Sequence, residues 1–254
     1  MELFFREYGT GPALTILHGF LGAGGNWHTL SRNVFAETHR VLVPDLRNHG
    51  QSPHDARMDY DAMAEDILEL WDRQEVDSGD LMGHSMGGKL AIQVALRAPE
   101  RVSRLIVVDI VPRPYPPGHL EILEALHRAD PPRRASRQEV EDALAETIRS
   151  NPVRQFLLKN LRRTDEGFAW MPNLDVLTSS YDQLTGGLSA FATYDGPALV
   201  IRGQNSDYVQ DDDGEVIRAY LPEAEIVTIP NAGHWVHAEA PEAFAAAVKG
   251  FLDR

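Results

Sequence analysis

The chain has 254 residues, 43% of them hydrophobic and 24% charged, and its 38 acidic and 24 basic side chains give a formal net charge of −14. That length and apolar fraction suit one domain with a sizeable core, and the acidic balance lacks the basic footprint that nucleic-acid phosphates require. Cysteine is absent, which excludes disulfides, thiolate nucleophiles, cysteine-ligated zinc and iron–sulfur clusters.

The opening Met1-Glu2-Leu3-Phe4-Phe5-Arg6-Glu7 has no basic stretch followed by a long apolar one, so it does not read as a signal peptide. No apolar run reaches the roughly 18 residues of a membrane span. The expectation is a soluble cytoplasmic protein without membrane or nucleic-acid partners.

Short apolar runs bounded by Gly, Pro or Asp predict buried parallel strands at Leu14–His18, Val41–Asp45, Asp80–Gly83 and Arg104–Val111. Between them, Met63, Ile67, Leu70 and Trp71 recur at helical spacing and predict a helix over Tyr60–Arg73, with Asp59 or Asp61 as its cap. Met86–Arg97 predicts a second helix that stops before Pro99. From about Val111 to Asp195 the pattern changes to Pro-rich turns and helices at Leu120–Arg128, Arg137–Ser150 and Pro152–Arg162, with no convincing buried strand. Strand Ala198–Arg202, helix Asp213–Tyr220, strand Glu225–Ile229 and helix Pro241–Leu252 complete the chain. This alternation predicts an α/β fold, a mostly parallel sheet flanked by helices. Residues 1–111 and 195–254 form its core. Residues 112–194 are expected as a helical cap, inserted after the sixth strand and not an independent domain, over the strand carboxyl ends where open α/β sheets bind ligands.

Gly83-His84-Ser85-Met86-Gly87 is a G-x-S-x-G motif directly after a strand and before a helix. Such a turn projects the middle hydroxyl over the sheet edge, and the flanking glycines avoid clashes there. Ser85 is therefore the candidate nucleophile. The Met86 amide, at a helix N-terminus, suits developing negative charge. Gly83 to Lys89 also spells G-x-x-x-x-G-K, but Leu90 stands where a phosphate-binding loop needs Ser or Thr for magnesium. The first predicted strand ends in His18-Gly19-Phe20-Leu21-Gly22, a turn that can supply a second oxyanion amide from Phe20. His18 and His84 read as hydrogen-bonders within these turns.

After the last predicted strand comes Asn231-Ala232-Gly233-His234-Trp235-Val236-His237. His234, on a Gly-preceded loop before the C-terminal helix, is placed to serve Ser85 as general base; His237, nearer the helix, is the competitor. Two aspartates compete for the acid. The turn after Ala198–Arg202 carries Asp207 one residue late, with Ser206 at the third position after Gly203. Asp109 lies near the carboxyl end of its strand among aliphatic residues, where a carboxylate is costly unless paired. Asp109 is the favoured partner of His234 and Asp207 the alternative triad acid.

These residues resemble the α/β-hydrolase superfamily, and most closely the bacterial YbfF-like esterases and their mitochondrial relatives. The resemblance rests on Asp45-Leu46-Arg47-Asn48-His49-Gly50-Gln51-Ser52-Pro53, on Gly83 to Lys89, on Val108-Asp109-Ile110-Val111-Pro112 and on Gly233 to Glu239. It implies a cofactor-independent serine carboxylesterase acting on a small-molecule acyl ester, with no metal, and an acid at Asp109. Same-fold rivals are menaquinone-pathway lyases, carbon–carbon hydrolases and perhydrolases; a rival of another class is a non-catalytic small-molecule receptor. Dehalogenases and epoxide hydrolases resemble this layout with aspartate where Ser85 stands.

Lesser signals point elsewhere. Asp211-Asp212-Asp213-Gly214 fails as a calcium loop, because Val209 and Tyr220 fall at ligand positions, and reads as helix capping. Phe156, Trp170, Tyr181 and Phe191 are candidates for an acyl pocket or for packing. Arg133-Arg134 and Arg162-Arg163 read as solvated surface rather than a site for an anionic thioester.

Overall fold

The computed structural model describes residues 1–165, 167–188 and 192–254. In chain order, β1 (Phe5–Tyr8), β2 (Ala13–Leu17), α1 (His28–Asn33), β3 (Arg40–Pro44), α2 (Tyr60–Arg73), β4 (Gly79–His84), α3 (Met86–Arg97) and β5 (Val102–Val108) build the first part of the sheet. An insertion follows. It contains α4 (Leu120–Ala129), α5 (Arg137–Ala145), α6 (Asn151–Leu158), β6 (Leu161–Thr164), β7 (Gly167–Trp170), α7 (Leu174–Ser179) and α8 (Tyr181–Thr185). The chain then returns through β8 (Ala198–Gly203), α9 (Gly214–Arg218), β9 (Ala224–Ile229), α10 (Val236–Glu239) and α11 (Pro241–Leu252).

The main sheet has seven strands in the order β1-β3-β2-β4-β5-β8-β9. Only β1 is antiparallel, paired to β3; every other neighbour is parallel. The alternation along each strand explains the layering, since successive side chains point to opposite faces. Leu17, Leu81 and Val107 pack with Ile67, Trp71 and Leu90 on one face. Ile16, Met82 and Ile106 pack with Trp27, Phe244 and Val248 on the other. A buried Thr15 is tolerated because Trp71 Nε1–H donates to its hydroxyl at 2.7 Å. At α2 the cap is Asp59, whose carboxylate accepts from the Ala62 amide at 2.7 Å.

Several expected boundaries change for identifiable reasons. The N-terminus supplies only one strand before Ala13–Leu17, so the insertion leaves the fifth strand of the sheet, not a sixth. Strand β5 ends at Val108 because Asp109 turns to φ +53°. The helix expected to Ser150 ends at Ala145, where the amides of Thr147 and Ile148 both return to the Leu144 carbonyl. The helix expected to Arg162 stops at Leu158, and Leu161–Thr164 instead pairs antiparallel with Gly167–Trp170. Asp213 stands at the N-terminus of α9 but makes no side-chain cap there. Its carboxylate pairs with Arg113 at 2.8 Å and accepts from the Gln210 amide.

The insertion shares one apolar cluster with the sheet, in which Leu123, Leu126, Leu157 and Tyr181 join Leu21 and Met58. Polar ties reinforce it. The Tyr60 hydroxyl donates to the Leu184 carbonyl at 2.8 Å, and Asn160 Nδ2 donates to the Leu21 carbonyl at 2.7 Å. Lys89, 1% exposed, gives its ammonium protons to the carbonyls of Thr185 and Gly186. Burial lowers the Lys89 pKa to about 8, with Arg113 adding to the effect. Among the described residues no helix is long and apolar enough to cross a membrane.

Candidate active site

Strand β4 passes through a single residue, Ser85, into α3, and that residue adopts φ 55°, ψ −122°. This is the conformation of the first central residue of a type II′ turn, which glycine normally fills. The neighbouring glycines are needed for close approach. A Cβ at Gly83 would collide with the Gly87 carbonyl, and one at Gly87 with the carbonyls of Leu17 and His18. Ser85 occupies an N-cap position, yet its hydroxyl makes no cap. It lies 3.0 Å from Nε2 of His234.

The opposite nitrogen of that ring, Nδ1, is 2.7 Å from Oδ2 of Asp109. Nδ1–H therefore donates to the carboxylate, and Nε2 is left to accept the Ser85 proton. Asp109 is fully buried. Its charge is met by three donors: His234 Nδ1–H, the Gly203 amide at 2.9 Å, and the Ser206 hydroxyl, which shares Oδ2 with His234. Asp207 is exposed and lines a cavity wall, with no bond to His234 among the described contacts. The structure thus brings Ser85, His234 and Asp109 into one hydrogen-bonded row and leaves Asp207 outside it.

The loop carrying His234 is held from several directions. Glu239 accepts the amides of Gly233 (2.7 Å) and Trp235 (3.2 Å), on either side of the histidine. His84 Nε2–H donates to the His234 carbonyl at 2.8 Å. The Tyr208 ring lies on the His234 ring, centroids 3.7 Å apart and planes 15° from parallel. His237, the competing base, instead stacks on Trp27 at 4.2 Å. Burial lowers the His237 pKa to about 3, and His84 is pushed well below its ordinary value, also chiefly by burial.

The turn carrying Phe20 is cross-braced to the Asp45–Pro53 loop. His18 Nδ1–H donates to the Gly19 carbonyl, while its Nε2 accepts the Leu46 amide at 3.0 Å. In return, His49 Nδ1–H donates to the Arg47 carbonyl and Nε2 accepts the Leu21 amide at 3.3 Å. Arg47 anchors the loop through a buried pair with Asp66, Nε to Oδ2 2.6 Å and Nη2 to Oδ1 2.9 Å. Burial lowers the pKa of His18 to about 4 and of His49 to about 3, so both braces are neutral. Among the described residues the amides of Phe20 and Met86 have no hydrogen-bond acceptor. Free amides beside a nucleophile can bind an oxyanion.

Two cavities, of about 360 and 390 Å³, open on Ser85. Tyr60, Lys89, Ile110, Tyr115 and Tyr181 line the first; Val153, Phe156, His234 and Trp235 line the second. Trp170 packs inside the insertion, donating to the Leu126 carbonyl, and Phe191 lies outside the described residues. Arg133, Arg134, Arg162 and Arg163 line neither cavity. Among the described residues no group of three or more His, Asp or Glu is arranged to hold a metal ion.

Ser206 has no role on sequence grounds alone; the signal for it is its place third after Gly203, one residue before Asp207, and its hydroxyl supports Asp109. Glu239 and Tyr208 were missed as supports of His234. A carboxylate five residues after the candidate base was the one hint for Glu239, and the Tyr208 stack had none.

Chemically, the row can move a proton from Ser85 to His234 while Asp109 faces the charge that forms. Comparison with known proteins agrees with the fold. The family model described as "alpha/beta hydrolase fold" matches residues 12–241. The chain is 39% identical to the sn-1-specific diacylglycerol lipase ABHD11 of Mus musculus, over 95% of this chain and 81% of the mouse protein. It is 34% identical to esterase YbfF of Escherichia coli K12, over 94% of this chain and 92% of that protein. A solved structure titled "Marine microorganism esterase" superposes with TM-score 0.96 at 39% identity, covering 98% of this chain and 99% of that one. The chain belongs to the α/β-hydrolase fold family.

Proposed function

We propose that Ser85, His234 and Asp109 are the catalytic triad of a carboxylesterase that cleaves short-to-medium acyl esters through an acyl-enzyme. That the chain is a hydrolase acting on ester bonds follows from its esterase and lipase relatives. The observation that carries the finer reading is the continuous row Ser85 Oγ–His234–Asp109, at 3.0 and 2.7 Å, where two cavities meet.

In this reading Ser85 Oγ attacks the acyl carbonyl as His234 Nε2 takes its proton. The amides of Phe20 and Met86 hold the oxyanion, and Asp109 supports the imidazolium. His234 then protonates the leaving oxygen. Because His234 lines only the second cavity, the leaving alcohol belongs there and the acyl group in the first. Water enters, gives a proton to His234 as its oxygen bonds the acyl carbon, and the acid leaves as the bond to Ser85 Oγ breaks and His234 returns the proton to that oxygen. Thioesters react by the same steps. The proposed steps call for no cofactor or metal, because each uses the row, the two free amides or water. Residues 112–194 act as the cap of this site, an inserted part of the 1–111 and 195–254 core.

The test is hydrolysis of p-nitrophenyl acetate and butyrate by wild type and Ser85→Ala. Saturable turnover lost in the variant supports the reading. Equal turnover in both proteins, or none in wild type, overturns it.

A further inference from the structure

Among the described residues, three line both cavities: Phe20, Ser85 and His119. The first two already have parts in the proposed chemistry. His119 comes from the insertion, at the residue before α4. A substrate with its acyl group in one cavity and its alcohol in the other must pass beneath it.

The hydrogen-bond pattern around His119 favours one position for its ring proton. Its backbone amide donates to the Tyr181 hydroxyl oxygen at 2.8 Å, and that oxygen lies 2.9 Å from Nδ1. A phenol oxygen that accepts one bond still has one proton to give, and Nδ1 is the acceptor within reach. With Nδ1 accepting, the neutral ring carries its proton on Nε2. Among the described residues the one hydrogen-bond partner of the His119 ring is the Tyr181 hydroxyl at Nδ1, and nothing accepts from Nε2. The Phe20 and Tyr181 rings pack around the imidazole at centroid distances of 5.7 and 6.1 Å and limit its rotation.

We propose that His119 is a substrate-binding residue, its Nε2–H donating to an oxygen of the ester held over Ser85. The proposal rests on the esterase reading and extends it to the insertion. Burial lowers the His119 pKa, with His234 opposing a second positive charge. His119 thus stays a neutral donor while His234 becomes an imidazolium, and two cations never face each other across the reacting ester. Tyr181 is the positioning residue that selects the tautomer.

The experiment compares kcat and KM for p-nitrophenyl acetate and butyrate in wild type, Ser85→Ala, His119→Ala, His119→Gln and Tyr181→Phe, with a thermal melt of each. His119→Ala should lose about tenfold or more in kcat/KM, with its melting temperature close to wild type. His119→Gln, which keeps an N–H at the ε position, should recover most of that loss. Tyr181→Phe should fall between wild type and His119→Ala. Activity of His119→Ala within twofold of wild type would overturn the proposal, as would a Gln variant no better than Ala. Wild-type turnover that Ser85→Ala abolishes keeps the esterase reading in place whichever way His119 falls; no such turnover would sink both.

Discussion

The Ser206 hydroxyl donates to Oδ2 of Asp109, the same carboxylate oxygen that takes the Nδ1–H of His234. The carboxylate on β5 is thereby steadied from the turn after β8, where a serine stands at the position the sequence pattern reserves for an acid. Asp207, one residue on, is exposed and unconnected to His234. Asp109→Asn should therefore lower kcat by about 10⁴-fold, because an amide presents the wrong partner to Nδ1–H. Asparagine tolerates positive φ, so the variant should fold. Asp207→Asn should stay within about twofold of wild type, and Ser206→Ala should lie between them, losing about one hydrogen bond to a charged group, roughly 1.5–3 kcal/mol of transition-state support. Turnover of p-nitrophenyl butyrate by the three variants checks this. Equal losses in the two aspartate variants would contradict the geometry.

The backbone at Ser85 carries a separate, measurable consequence. Its φ of 55° with ψ of −122° is a region that non-glycine residues occupy only at a cost, of order 1–3 kcal/mol. Ser85→Gly should relieve that strain and raise the melting temperature by a few degrees while abolishing turnover. Ser85→Ala should abolish turnover without the same gain. A glycine variant no more stable than the alanine variant would show that the elbow stores no strain.

Much of this was legible where strong local chemistry marks an element. The helices Tyr60–Arg73, Met86–Arg97 and Pro241–Leu252 have their expected bounds because Asp59, the Ser85 elbow and Pro241 punctuate them. Ser85, Asp109 and His234 stand out for the same reason: each lies near or beyond the carboxyl end of a predicted strand, where side chains reach the sheet's edge. The hairpin in the insertion was hidden because Leu161-Arg162-Arg163-Thr164 is half-exposed and lacks apolar alternation. Likewise, Ser206 acts on a carboxylate 97 positions earlier and Tyr208 on a ring 26 positions later. Side-chain pairs of that kind leave no periodicity to read.

Glu239 offers a test of how tightly His234 must be held. Its carboxylate closes the loop by accepting the amides of Gly233 and Trp235. Because Glu239 is exposed, Glu239→Ala should change the melting temperature little. It should reduce kcat more than it raises KM, since the histidine wanders while the first cavity, which neither His234 nor Trp235 lines, keeps its shape. A loss confined to KM would place Glu239 in substrate binding instead.

Acid should weaken the fold through two buried histidines and the half-buried His237. The pKa of His18 is lowered to about 4, and those of His49 and His237 to about 3, in each case mainly by burial. Their unfolded value is near 6.5, so between these limits the unfolded chain holds protons that the folded chain refuses. Stability is then unaffected by them above about pH 6.5 and falls as pH drops, by up to about 1.4 kcal/mol per pH unit for each histidine. The decline levels off near pH 4 for His18 and pH 3 for the other two. Thermal melts from pH 7.5 to 4.5 should show that slope. His237→Phe isolates one contribution. It keeps a ring against Trp27 and removes Nδ1, which is buried without a partner. The variant should match or exceed wild-type stability at pH 7.5 and lose less on acidification. Parallel wild-type and variant curves across that range would show that His237 does not titrate with unfolding.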